Sequence, residues 1–172
     1  MAAFSVAIRP ERQTDQPAIA RINEAAFGRP DEARLVAAIS RAGATLCSLV
    51  GLVDGTPVGH ILFTPVMVEP DPGHVVAGLG PLAVLPAFQR RGIGGRLVEH
   101  GLARCRALGV ALVVVVGHPD YYPRFGFVPA AAHGLRWEVD VPDEVFMVRA
   151  LSPEGLGRVR GLVRYRPEFA GV

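Results

Sequence analysis

The sequence predicts a mixed β-sheet of about seven strands with helices on both faces, an α/β fold, and three stretches carry that prediction. Leu46–Val53 and Pro57–Val68 are β-rich runs joined by Asp54-Gly55, a dipeptide that favours tight hairpin turns. Gly92–Leu108 places Leu97, Val98, Leu102, Cys105 and Leu108 on one helical stripe, with Gly109 as its stop. Ala111–Val116 is an unbroken apolar run rich in β-branched residues, the pattern of a strand covered on both faces.

The remaining elements follow in chain order. Ser5–Arg9 alternates apolar and polar residues as a first strand. Thr14-Asp15-Gln16-Pro17 offers an N-cap and an early proline for a helix carrying Ile19, Ile22, Ala26 and Phe27. Asp31–Arg41 reads as a second helix, with Leu35, Val36 and Ile39 inward and Gly43 beyond its end. His74–Leu85 is a further strand ended by Pro86, and a short helix is expected over Asp120–Phe125. Strands near Glu144–Leu151 and Arg158–Tyr165 close the chain, giving the order β-α-α-β-β-β-α-β-α-β-β. No linker-like stretch divides the 172 residues, so one domain over 1–172 is expected.

Composition excludes several classes. With 18 basic and 16 acidic residues the formal charge is +2, which leaves no electrostatic footprint for nucleic acid or a membrane surface. Every basic side chain apart from histidine is arginine, so lysine-nucleophile and Schiff-base chemistry are excluded. Cys47 and Cys105 each sit in an apolar segment, with neither a disulfide framework nor metal spacing, and His74, His100 and His133 form no ligand pattern. No metal is therefore expected. The N-terminus has no charged start followed by an apolar run, and Val110–Val116 is too short to cross a bilayer, so a cytoplasmic location is the expectation. The high apolar content and the C-terminal strands suggest a sheet edge covered by a second copy, a homodimer.

The chemistry concentrates in Leu79–Gly95, which runs strand, turn, glycine-rich loop, helix. A helix start leaves backbone N–H groups unpaired and carries partial positive charge. Gly92, Gly94 and Gly95 remove side chains that would block an anion from those amides, and Arg90 and Arg91 add fixed charge. The loop lacks the Gly-Lys-Ser/Thr ending of nucleoside-triphosphate loops and the complete GxGxxG run of dinucleotide binders.

Gln89-x-x-Gly92-x-Gly94, preceded by Leu82-Ala83-Val84-Leu85-Pro86 and followed by Tyr122-Pro-Arg-Phe-Gly126-Phe127, resembles the signature of GNAT superfamily N-acetyltransferases. Gly117–Phe127 and the ending from Phe146 to Tyr165 look like the YhbS-like branch. The resemblance implies the GNAT fold, with a mostly antiparallel sheet whose fourth and fifth strands splay apart. It implies acetyl-CoA as cosubstrate, its pyrophosphate cradled by backbone amides of Gln89, Arg90, Arg91, Gly92, Ile93, Gly94 and Gly95. Backbone groups of Leu82, Ala83 and Val84 would pair with the pantetheine arm. Where many members carry an asparagine, this chain has Gly117-His118-Pro119-Asp120, so His118 either replaces that contact or caps a turn.

Amide formation from a thioester needs a neutral amine, a polarised carbonyl and a proton for the leaving thiolate. Tyr122 holds the family position of that general acid. A phenol of reference pKa about 10 protonates a thiolate of about 8.5 only uphill, unless the site lowers the phenol. Glu24 and His60 are both candidates for the base. The expected activity is transfer of an acetyl group to a primary amine, of a small molecule or a protein N-terminus. The alternative is a non-catalytic acyl-CoA-binding regulatory domain.

Overall fold

The computed structural model describes residues 4–153 and 155–172. Four strands form an antiparallel meander: β1 (Val6–Pro10), β2 (Cys47–Val53), β3 (Thr56–Glu69) and β4 (Val76–Val84). Asp54 and Gly55 both take positive φ (48° and 81°), the backbone that a two-residue hairpin turn requires. Between β1 and β2 lie α1 (Gln16–Phe27) and α2 (Asp31–Arg41). After β4 come α3 (Ile93–Ala107) and β5 (Leu112–Val116), the latter parallel to β4. The sheet continues through β8 (Phe146–Ala150) to β6 (Val128–Pro129). A side branch pairs β9 (Gly161–Arg164) with the end of β3, and β7 (Leu135–Trp137) with β9. A one-turn helix α4 (Gly155–Arg158) precedes β9.

Helices cover both faces, as the periodicity predicts. Ile19 of α1 and Leu35, Val36 and Ile39 of α2 pack on Val50, Leu52 and Leu62. On the other face Ile93, Leu97, Val98 and Cys105 of α3 pack on Ile61, Phe63 and Val113. Within β3, Ile61 and Phe63 face the α3 core while Leu62 between them faces the α1–α2 core.

Three expectations shift. Among the described residues the sheet has nine strands, because β6 and β7 are two and three residues long and too short for a periodic signal. The last predicted strand starts later, at Gly161, since residues 155–158 turn as α4. Asp15 does not cap α1 with its side chain. Its carboxylate instead takes two hydrogen bonds from the Arg9 guanidinium, at 2.6 and 2.9 Å, and one from Arg12 N–H. The bond from Arg9 is the main reason its pKa falls to about 2. No described helix is long and apolar enough to cross a membrane.

Candidate active site

β4 and β5 pair only through Val76–Gly78 against Leu112–Val114. Beyond that point β4 runs on to Val84 and β5 to Val116, so the two strands part and leave open backbone. Leu85 N–H donates to the Val58 carbonyl (2.8 Å), which makes this a hydrogen-bonded pair of the β3–β4 ladder. Antiparallel pairs alternate, so Ala83, opposite His60, turns its N–H and C=O toward β3, whereas Leu82 and Val84 turn theirs into the gap. This corrects the expectation for Ala83, whose backbone is already committed. The Val84 carbonyl accepts a hydrogen bond from Gln89 Nε2 (3.0 Å), which ties the loop to the strand end.

The loop then curls through positive φ at Arg90 (60°) and Gly92 (79°), and Gly92 is the N-cap of α3. That terminus has no side-chain cap and no acidic residue in its first turn, so its unpaired amides face a cavity without a competing carboxylate. A Cβ on Gly94 would stand 2.9 Å from Tyr121 Oη, so the phenol lies over this position and would have to shift to admit a side chain. Arg90 and Arg124 line this cavity of about 810 Å³, with Arg124 stacked on the Tyr121 ring at 4.7 Å. Arg91 is not in the lining. Its guanidinium lies over Phe88 and Phe4.

Tyr122 opens a short 3-10 turn (Tyr122–Phe125), and the amides of Tyr121 and Tyr122 reach back to the His118 carbonyl. The Tyr122 ring packs edge-on to Tyr121 (5.1 Å) and Phe127 (5.6 Å), and lies so close to Gly117 that a Cβ there would sit 2.3 Å from it. Gly126 takes φ 83° and leaves room for Arg149, whose guanidinium donates to the Phe125 carbonyl and clamps the turn. Burial is the main cause that raises the Tyr122 phenol well above its ordinary pKa, and the Tyr121 phenol adds to it. The site therefore does not lower the phenol.

A second cavity, of about 480 Å³, shares Leu82, His118 and Tyr122 with the first. Its walls are Phe27, Trp137, Tyr165 and Phe169, and Arg29 and Glu32 line one side. Arg29 Nε lies 3.1 Å from both carboxylate oxygens of Glu32. Sequence reasoning passed over Glu32, Trp137 and Tyr165. The single tryptophan of the chain, in a turn-rich segment, was the available signal for one of them.

Neither base candidate lines either cavity. Glu24 is exposed on α1, next to the inward-facing Asn23. His60 is fully buried between α1 and β2. Asn23 Nδ2 can only donate, so His60 Nδ1 (3.2 Å away) accepts and Nε2 carries the proton. That N–H points to Ser48 Oγ at 3.0 Å, and Ser48 in turn donates to Glu11. Burial lowers the His60 pKa to about 3. The unfolded chain, with a histidine near 6.5, binds a proton that the native state refuses between those values, so stability falls as pH drops through this window. We expect about 2 kcal/mol to be lost between pH 6.5 and 5 from this group, read as a drop in the urea midpoint that His60→Gln flattens. An unchanged slope in the variant would remove His60 as the cause.

Comparison with known proteins agrees with this geometry. The Acetyltransferase (GNAT) family profile matches residues 10–127. The chain belongs to the GNAT family. It is 36% identical over 163 residues to the uncharacterized N-acetyltransferase YhbS of Escherichia coli (strain K12), covering 94% of this chain and 97% of that protein. The crystal structure of Escherichia coli YhbS in complex with CoA superposes with a TM-score of 0.91 at 34% identity, covering 98% of this chain and 94% of that one. A GNAT family acetyltransferase from Brucella melitensis in complex with acetyl-CoA gives a TM-score of 0.80 at 36% identity, over 96% and 98% of the two chains. The parted β4 and β5 and the uncapped α3 terminus are thus features of a GNAT fold. Trp137, Tyr165 and Phe169 lie beyond the part of the chain that the family profile matches.

Proposed function

We propose that this GNAT protein transfers the acetyl group of acetyl-CoA to a primary amine. The observation that carries the reading is the meeting of two cavities at Leu82, His118 and Tyr122, one floored by an uncapped helix terminus and the other walled by aromatic rings. Bound acetyl-CoA supplies the acyl group as a thioester. The chain supplies the rest. The first amides of α3, with Arg90 and Arg124, hold the diphosphate. The outward backbone groups of Leu82 and the free N–H of Val84 hold the amide-bearing arm as an added strand. Arg91, engaged with Phe4 and Phe88, contributes long-range charge rather than direct binding.

Tyr122 Oη holds the proton for the leaving thiolate. Its raised pKa keeps it protonated, and the same dry cleft destabilises a departing thiolate, which raises the thiolate's own proton affinity. Glu32 is the side-chain carboxylate in the acceptor lining, and both its oxygens are engaged by Arg29. The amine therefore enters neutral after losing its proton to solvent. The expected kcat/KM for the amine rises with pH as the amine loses its proton. It does not fall below about pH 10, the ordinary phenol value, because a raised pKa moves the alkaline limb upward. A fall centred at lower pH would contradict Tyr122 as the acid.

The direct test is a panel of primary amines with acetyl-CoA, followed by release of free thiol, alongside thermal unfolding with and without coenzyme A. Ligand that prefers the native state raises stability by about 2.7 kcal/mol at a hundredfold excess over Kd. A melting temperature unmoved by saturating coenzyme A sinks the cofactor assignment. A clear shift with no thiol released for any amine favours a binding domain instead.

A further inference from the structure

We infer that the acceptor is an arylalkyl monoamine, an aromatic body carrying one amino group, rather than a polyamine. The inference rests on the transferase reading and deepens it. The acceptor cavity of about 480 Å³ falls within the range of about 300–1,000 Å³ usual for small-molecule sites. Its rings are preassembled: Trp137 meets Tyr165 edge-on at 5.9 Å, and Tyr165 meets Phe169 at 5.1 Å. Tyr165 is seated by the absence of a side chain at Gly78, where a Cβ would lie 2.7 Å from its ring, at the point where β4 and β5 part. The aromatic wall therefore stands at the root of the cleft, in the same lining as Tyr122. Phe27 and Val116, both in the lining, remain 40% and 38% exposed, so apolar surface is left for a ligand to cover.

Charge points the same way. The charged side chains of the lining are Arg29 and Glu32, and they neutralise each other through the paired contacts at 3.1 Å. A second ammonium would meet a lining whose one side-chain carboxylate is already paired with Arg29, at the cost of its hydration. A single amine reaches Tyr122 with its apolar body against the rings and strands no charge.

Trp137 is the only tryptophan and lines both this cavity and a neighbouring one bounded by Glu138, Asp140 and Asp143, so its fluorescence is read together with turnover. The test titrates 2-phenylethylamine and, separately, spermidine into the protein saturated with coenzyme A, and measures thiol release for both amines with acetyl-CoA. We expect a saturable change in Trp137 emission with 2-phenylethylamine and none with spermidine, and a kcat/KM at least tenfold higher for 2-phenylethylamine. Phe27→Ser, at an exposed position that the fold tolerates, should weaken 2-phenylethylamine about fivefold, because the ligand then covers less apolar surface, while the coenzyme A thermal shift stays. No saturable response to 2-phenylethylamine, or preferential binding and turnover of spermidine, overturns the assignment and leaves the transferase reading standing. Failure of coenzyme A to shift the melting temperature is the separate outcome that removes the transferase reading.

Discussion

Tyr122→Phe is expected to lower kcat by about 10²–10⁴-fold, the usual contribution of a positioned acid or base, with little change in the KM for acetyl-CoA. The ring keeps its edge-on packing with Tyr121 and Phe127 and its place against Gly117. The variant removes only the hydroxyl and keeps this packing, so the fold is expected to survive and the fall in rate is not unfolding. The diphosphate contacts proposed above lie on the loop and α3 and do not involve this hydroxyl. Steady-state kinetics on an accepted amine, with circular dichroism to show that the fold is intact, give the answer. Parental turnover would reduce Tyr122 to a packing residue.

Gly94→Asp is expected to abolish coenzyme A binding while the free protein stays folded. Gly94 is the second residue of α3, where a carboxylate suits the helix dipole and adds about 0.3–1 kcal/mol. Its Cβ would meet the far end of the Tyr121 side chain, which can move aside. The same carboxylate occupies the unpaired amides and repels the diphosphate. Gly95→Ala is the matched control, since its Cβ would lie at ordinary van der Waals distance, 3.5 Å, from Phe125. Thermal shift with coenzyme A should vanish in the first variant and persist in the second. A retained shift in Gly94→Asp would move the anion site away from α3.

The strands, helices and phosphate loop were readable because their signals are contiguous. Asp54-Gly55 encodes its hairpin, and Gln89–Gly95 carries within seven residues both the turn and the bare helix start. Register was not readable. Whether Ala83 or its neighbours face the gap depends on which β3–β4 pair is the hydrogen-bonded one, and that follows from the bond between Leu85 and Val58. Glu24 and Glu32 look alike in sequence, as acidic residues on the first two helices. The packing of α1 turns Glu24 to solvent, while α2 buries Glu32 against Arg29.

Local chemistry along the chain by itself determined the fold class, the family resemblance and the glycine-rich loop that leads into α3. Tertiary structure alone decided the aromatic-walled cavity, since Phe27, Trp137 and the Tyr165–Phe169 stretch come from separate parts of the chain and meet only once β9 and β7 join the end of β3. It also decided the state of His60, whose pKa burial lowers, with Asn23 of α1 and Ser48 of β2 at its two ring nitrogens. The physical reason is the same in both cases. Backbone preference and helix capping act between near neighbours, whereas burial and charge depend on which distant side chains exclude water together.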